Sequence, residues 1–192
     1  MWFKKKKNKQ ELSFEQASEV FSELLVRSSD RCLTELKNQL SDDNEKKVEF
    51  DEIKDLTIKK LFLFFFIHFI DRRAFSILTP ENRKALMDPI GYRTISEFIK
   101  SNVNHDDQID QDNLTRQHLE ELNSFVLKFN KYKKIIPLKD ESQKDTLFWE
   151  FSKEISQAID NSVDIKYVII ANQLATLVIT NLKIDDIVEE FK

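Results

Sequence analysis

One glycine in 192 residues constrains this chain more than any other feature. Phosphate-cradling loops, nucleophile elbows and tight hairpins rely on glycine, which alone adopts φ > 0 without steric cost. With three prolines besides, the chain has little turn punctuation of any kind. What remains is a series of long apolar-periodic stretches separated by short polar breaks. That pattern predicts an all-α chain, a single bundle of six to eight helices with two strongly apolar stretches, 61–70 and 168–179, innermost.

Hydrophobic residues make up 41% of the chain, enough for a sizeable core and too many for intrinsic disorder. Sixteen Phe stand against three Tyr and two Trp, and Phe brings bulk without a hydrogen-bonding handle, so most of it is expected in the core. The single Cys32 excludes an intramolecular disulfide and any multi-cysteine metal site. Residues 1–9 hold five lysines and no acid, leaving 25 basic against 34 acidic residues and a body charge of −9. An acidic body argues against specific nucleic-acid binding, which needs a basic face. The division expected is a basic, flexible tail over residues 1–10 and one helical domain over 11–192. The basic start lacks the apolar stretch of a signal peptide. Residues 61–70 are too short for a membrane span, and residues 163–180 carry Asp164, Lys166, Asn172 and Gln173, so both are read as buried helices of a cytoplasmic bundle.

Local signals place the elements. Ser13 and Gln16 form a capping box that opens a helix reaching Leu40, with Phe14, Ala17, Phe21, Leu24, Leu25, Cys32, Leu36 and Leu40 inward. A second helix covers about 51–78. Thr79 and Pro80 open a third, which Pro89 and Gly91 are expected to end, with a separate helix over 92–103. A fifth spans 113–136 and stops at Pro137. Asp145 is expected to cap a sixth with Phe148, Phe151, Ile155 and Ile159 inward. A seventh covers 162–181, and a small amphipathic helix closes the chain.

Few residues offer chemistry. His68, Asp71 and Arg72 share one face of the central helix at i, i+3 and i+4, where a His–Asp pair can act as a general base and its orienter. A buried imidazole satisfied by a neighbour is the structural alternative, and it is preferred because no Ser or Cys nucleophile can be placed beside it. His68, His105 and His118 share no metal spacing, and the Glu-x-x-His pairs of carboxylate-bridged iron bundles are missing. Residues 105–112 imitate a calcium loop, but Gln111 stands where glycine is required and Gln117 where glutamate is required, so the segment reads as a solvated acidic loop ahead of a helix. Cys32 lies on an apolar helix face and reads as a small core residue. An N-terminal helix-turn-helix is excluded because residues 11–40 read as one uninterrupted helix.

Two features point outward. Trp2 and Phe3 followed by Lys4, Lys5, Lys6, Lys7 and Lys9 combine interfacial aromatics with a polybasic cluster, a composition that favours an anionic bilayer surface. Trp149, Tyr92 and Tyr132 lie at helix edges, where aromatics anchor interfaces. Without a cofactor fingerprint, metal cluster or nucleophile constellation, the expectation is a non-catalytic helical interaction protein that presents helical faces to a protein partner or to a second copy of itself. The alternatives are a peripheral membrane protein docking through its tail at the inner face, and a bundle holding an apolar ligand between Phe-rich helices.

Overall fold

The computed structural model describes residues 13–41, 48–102, 110–135 and 144–192. Among them the chain is all-α: α1 (Phe14–Ser41), α2 (Glu52–Ile77), α3 (Pro80–Asn102), α4 (Gln111–Phe129), α5 (Leu147–Asp160), α6 (Ile165–Leu182) and α7 (Ile184–Val188), closed by a 3-10 turn at Glu189–Phe191. The capping box forms, with Gln16 N–H donating to Ser13 Oγ at 3.1 Å and Ser13 N–H donating to Gln16 Oε1 at 3.0 Å. From there α1 buries Ala17, Phe21, Leu25, Cys32, Leu36 and Leu40. Leu24, expected inward, is exposed, and Leu33 is buried instead. Leu24 lies about 100° around the axis from Leu25, outside the stripe that α1 turns to its neighbours.

α2 starts at Asp51, whose side chain accepts from Lys54 N–H at 2.7 Å, and it touches α1, α3, α4, α5, α6 and α7. A helix so enclosed can be apolar all round, and every residue from Phe62 to Ile70 is buried. Phe65 stacks on Phe151 at 4.0 Å and meets Phe148 edge-on at 5.0 Å, while Phe62 meets Phe151 at 5.4 Å. Each such ring contributes about 1.5–3 kcal/mol by burial. The Phe-rich α2–α5 interface is thus filled by its own rings.

Four features differ from the sequence expectations, the first two for a tertiary reason. α3 does not end at Pro89 but carries it in its interior. Proline costs the bond to the carbonyl four residues back, about 3 kcal/mol. The buried stripe of Leu86, Ile90, Ile95, Phe98 and Ile99 runs across it and outweighs that cost. α4 ends at Phe129, well before Pro137. The guanidinium of Arg72 donates to the carbonyls of Tyr132 and Lys133, the latter at 2.9 Å, and Leu147 N–H donates to the Lys134 carbonyl at 2.8 Å, so the segment after Phe129 is held out of helix. Thr146, not Asp145, caps α5, accepting from Trp149 N–H at 3.3 Å, and Asp145 takes a positive φ of 64°.

The fourth correction concerns α6. It starts at Ile165 behind the cap Asp164 and is not innermost along its length. Tyr167, Val168, Ile170, Ala171, Leu174 and Ala175 are buried, whereas Ile165, Ile169 and Leu177 are 58%, 46% and 52% exposed. Positive φ is also handled without glycine: Asp145, Asn161 and Lys183 adopt it, and Gly91 sits in helix. At the chain's end, Phe191 stacks on Phe14 at 4.7 Å.

Candidate functional site

The C-terminal half of α2 brings polar groups into a largely apolar interior. His68 is fully buried, and neither ring nitrogen has a hydrogen-bond partner. Its ring lies 6.4 Å from that of Phe125, nearly perpendicular to it. Burial pushes the imidazole pKa down to about 4, the Arg72 guanidinium pushes the same way, and the Asp71 carboxylate opposes both. At neutral pH the ring is therefore uncharged, with one N–H and one bare nitrogen.

Asp71 does not orient His68. Its carboxylate is held by Arg83 of α3 in a bidentate pair, with Nε at 2.7 Å and Nη2 at 2.6 Å. That fork ties α2 to α3, and Arg83 also lies over the Phe75 ring at 5.2 Å. Arg72 is turned the other way, onto the carbonyls after α4. The three residues that share a face in sequence thus serve three directions: His68 inward, Asp71 to α3 and Arg72 to the α4 end. Arg83, the partner missed from sequence, lies on a different helix, and no local spacing signals it.

A cavity of about 400 Å³ opens where α2, α3 and α4 meet, lined by His68, Asp71, Arg83, Gly91, Tyr92 and Asn123 among others. Beyond the Asp71–Arg83 pair a second hollow of about 490 Å³ is lined by Arg72, Arg73 and Arg83. Arg73 is there held by Asp185 of α7 at 2.6 and 2.7 Å, so these arginines are engaged in the fold.

The other singled-out groups are placed as follows. Cys32 is buried and its thiol pKa is pushed up to about 12, chiefly by burial, so it is no nucleophile. His118 Nδ1 donates to the Leu114 carbonyl at 3.1 Å. Among the described residues no group of three or more His, Cys, Asp or Glu is arranged to hold a metal ion. His105 lies outside the described residues, and Asp110 caps α4, accepting from Asn113 N–H at 3.1 Å. Trp149 is half-buried, the Tyr132 hydroxyl lies 3.5 Å from Glu150, and Tyr92 is exposed at the cavity. The tail residues Trp2, Phe3, Lys4, Lys5, Lys6, Lys7 and Lys9 lie outside the described residues.

The outer face of α6 is the second notable feature. From Tyr167 to Leu182 no residue is charged, in a chain that is 33% charged. The exposed side of that stretch carries Ile169, Gln173, Thr176, Leu177 and Thr180, with Ile165 at its start. By length and composition Ile165–Phe191 is apolar enough to cross a membrane, contrary to the reading of residues 163–180 as too polar, and 33% of its most apolar window is buried. No family model matches this chain, and neither does any curated protein or solved structure.

Proposed function

We propose that this chain is a non-catalytic helical interaction protein that acts through the outer face of α6, and that a second copy of the chain is the partner seated there. The observation that carries the reading is the uncharged, partly apolar outer surface of α6 on an otherwise densely charged protein. Depletion of charge with retention of large apolar side chains is what distinguishes interface cores from ordinary surface.

A second copy suits this face for electrostatic reasons. A two-fold interface sets the same patch against itself, so a patch of one sign would repel its twin, whereas an uncharged one does not. Charges stand only at its ends, Asp164 and Lys166 at the start and Lys183, Asp185 and Asp186 beyond the finish.

The test is sedimentation velocity on the full chain and on Leu177→Lys, with circular dichroism to check that both fold. The expected result is a dimer that becomes a monomer on substitution. A wild-type chain that stays monomeric at every concentration reached overturns the reading. If that monomer also floats with anionic vesicles, a lipid surface takes the place of the second copy.

A further inference from the structure

We infer that the hollow of about 490 Å³ beside the C-terminal end of α2 binds a small organic phosphate monoester, with Arg72 as the anchor of its dianionic head. The inference is independent of the outer face of α6. It starts from three guanidinium groups, Arg72, Arg73 and Arg83, that line one hollow in a chain of net charge −4. All three side chains are partly open to solvent.

Their charges are not answered alike. Arg83 faces Asp71, and Arg73 faces Asp185 with Glu189 acting on it as well; the hydrogen bonds to Asp71 and Asp185 push both guanidinium pKa values up. Arg72 is the exception. Its hydrogen bonds go to the carbonyls of Tyr132 and Lys133, which are neutral, and burial pushes its pKa down with no carboxylate opposing. A partly desolvated cation is costly unless an anion meets it. Spare donors stand at the same place. The ion pairs of Arg73 and Arg83 use Nε and Nη2 and leave Nη1, and a guanidinium carries more N–H groups than the two bonds of Arg72 use.

The rim adds positive charge. Asn130 and Ile135 line the hollow, and the chain between them carries the exposed Lys131 and Lys133. Among the described residues neither pairs with a carboxylate: Lys131 lies over the Tyr132 ring at 5.0 Å, and Glu150, the acid beside the Tyr132 hydroxyl, is held by Lys153 at 2.8 Å.

This unanswered charge selects the head. Arg72, Lys131 and Lys133 together exceed what a carboxylate or a sulfate ester neutralises. A phosphate monoester carries about −1.5 to −2 charge at pH 7 with three acceptor oxygens, and the guanidinium fork matches phosphate geometry. The body is selected by the remaining space. A phosphate group alone leaves most of the hollow unfilled, and Phe75, 71% exposed on the lining, offers an aromatic surface to an organic group.

The experiment titrates the full chain at pH 7.5 and fixed ionic strength with phenyl phosphate, phenyl sulfate and inorganic phosphate, read by amide and arginine Nε–H NMR shifts. Phenyl sulfate keeps the shape and halves the charge; inorganic phosphate keeps the charge and lacks the body. Phenyl phosphate is expected to bind about tenfold more tightly than either, with saturable shifts at Arg72 and at residues 131–133. Arg72→Gln, folded by circular dichroism, should lose that binding. Because Arg72 also holds the segment after α4, the exposed residues give a second reading: Lys133→Ala should weaken phenyl phosphate, and Phe75→Ala should lower it to the level of inorganic phosphate. Absence of a saturable shift overturns the inference, as do shifts confined to the lysines of residues 4–9. Equal binding of phenyl sulfate overturns the dianionic head, and equal binding of inorganic phosphate overturns the organic body. Unchanged binding in Arg72→Gln, or in both Lys133→Ala and Phe75→Ala, overturns the location.

Discussion

Replacing His68 by leucine should make the protein more stable, and increasingly so as the pH falls. At neutral pH the substitution removes a buried imidazole whose two nitrogens have no partner, a gain of about 1–3 kcal/mol. The pH dependence follows from the shift of the imidazole from 6.5 down to about 4. Below pH 6.5 the unfolded chain takes up a proton at His68, whereas the folded chain does not until about pH 4. Acidification through that window therefore favours the unfolded state, and the contribution of the neutral ring is complete only above 6.5. At about 1.4 kcal/mol per pKa unit the loss amounts to roughly 3 kcal/mol. Carboxylates titrate in the same window, but they are common to both proteins and cancel in the difference. Urea unfolding of wild type and His68→Leu at pH 4, 5, 6 and 7 measures it. The stability gap should widen by roughly 3 kcal/mol from pH 7 to pH 4. A gap that stays constant or narrows would refute the placement of His68 as a buried, neutral, unpaired ring.

Phe65→Ala should cost about 3–5 kcal/mol in urea unfolding, because the ring is wholly buried and stacks on Phe151 at 4.0 Å. Pro89→Ala should raise stability by about 1–3 kcal/mol, since Pro89 lies inside α3, and a loss would show that the stripe needs the distortion proline imposes. Lys183 holds a φ of 46° at the α6–α7 junction, and Lys183→Gly should gain about 1 kcal/mol by relieving the left-handed conformation, measured by thermal melting. Cys32 should resist thiol reagents at pH 8 until the chain is unfolded, because the buried thiol is pushed up to about 12.

What could be read from the sequence is what depends on neighbours within one helical turn. The Ser13–Gln16 box and the Thr79–Pro80 start form as their residue types require. Pro89 is a local stop signal, whereas the stripe that carries α3 through it extends from Leu86 to Ile99. The end of α4 was hidden for a related reason: it is set by Arg72 from α2. The scarcity of glycine was a sound guide to the helical class but not to individual turns, since Asn161 and Lys183 themselves adopt the left-handed conformation. At the candidate site, the spacing of His68, Asp71 and Arg72 was visible, but Arg83 and the cavity depend on how three helices meet.

The two most apolar stretches show what hydropathy cannot decide. Residues 61–70 and 168–179 look alike as strings, yet α2 is walled by six other helices and α6 touches α5, α1 and α2. A helix buried on all sides needs apolar residues all round, so the composition of α2 is accounted for by the fold. The outer half of α6 is not accounted for in that way. Solvent imposes no demand for Ile165, Ile169 and Leu177 on an exposed face, nor for the loss of every charge between Lys166 and Lys183. A long charge-free surface in a chain rich in Lys, Glu and Asp is what the proposed second copy would cover. That asymmetry, rather than apolarity as such, is why the assembly state of the Leu177→Lys chain bears most directly on what this protein does.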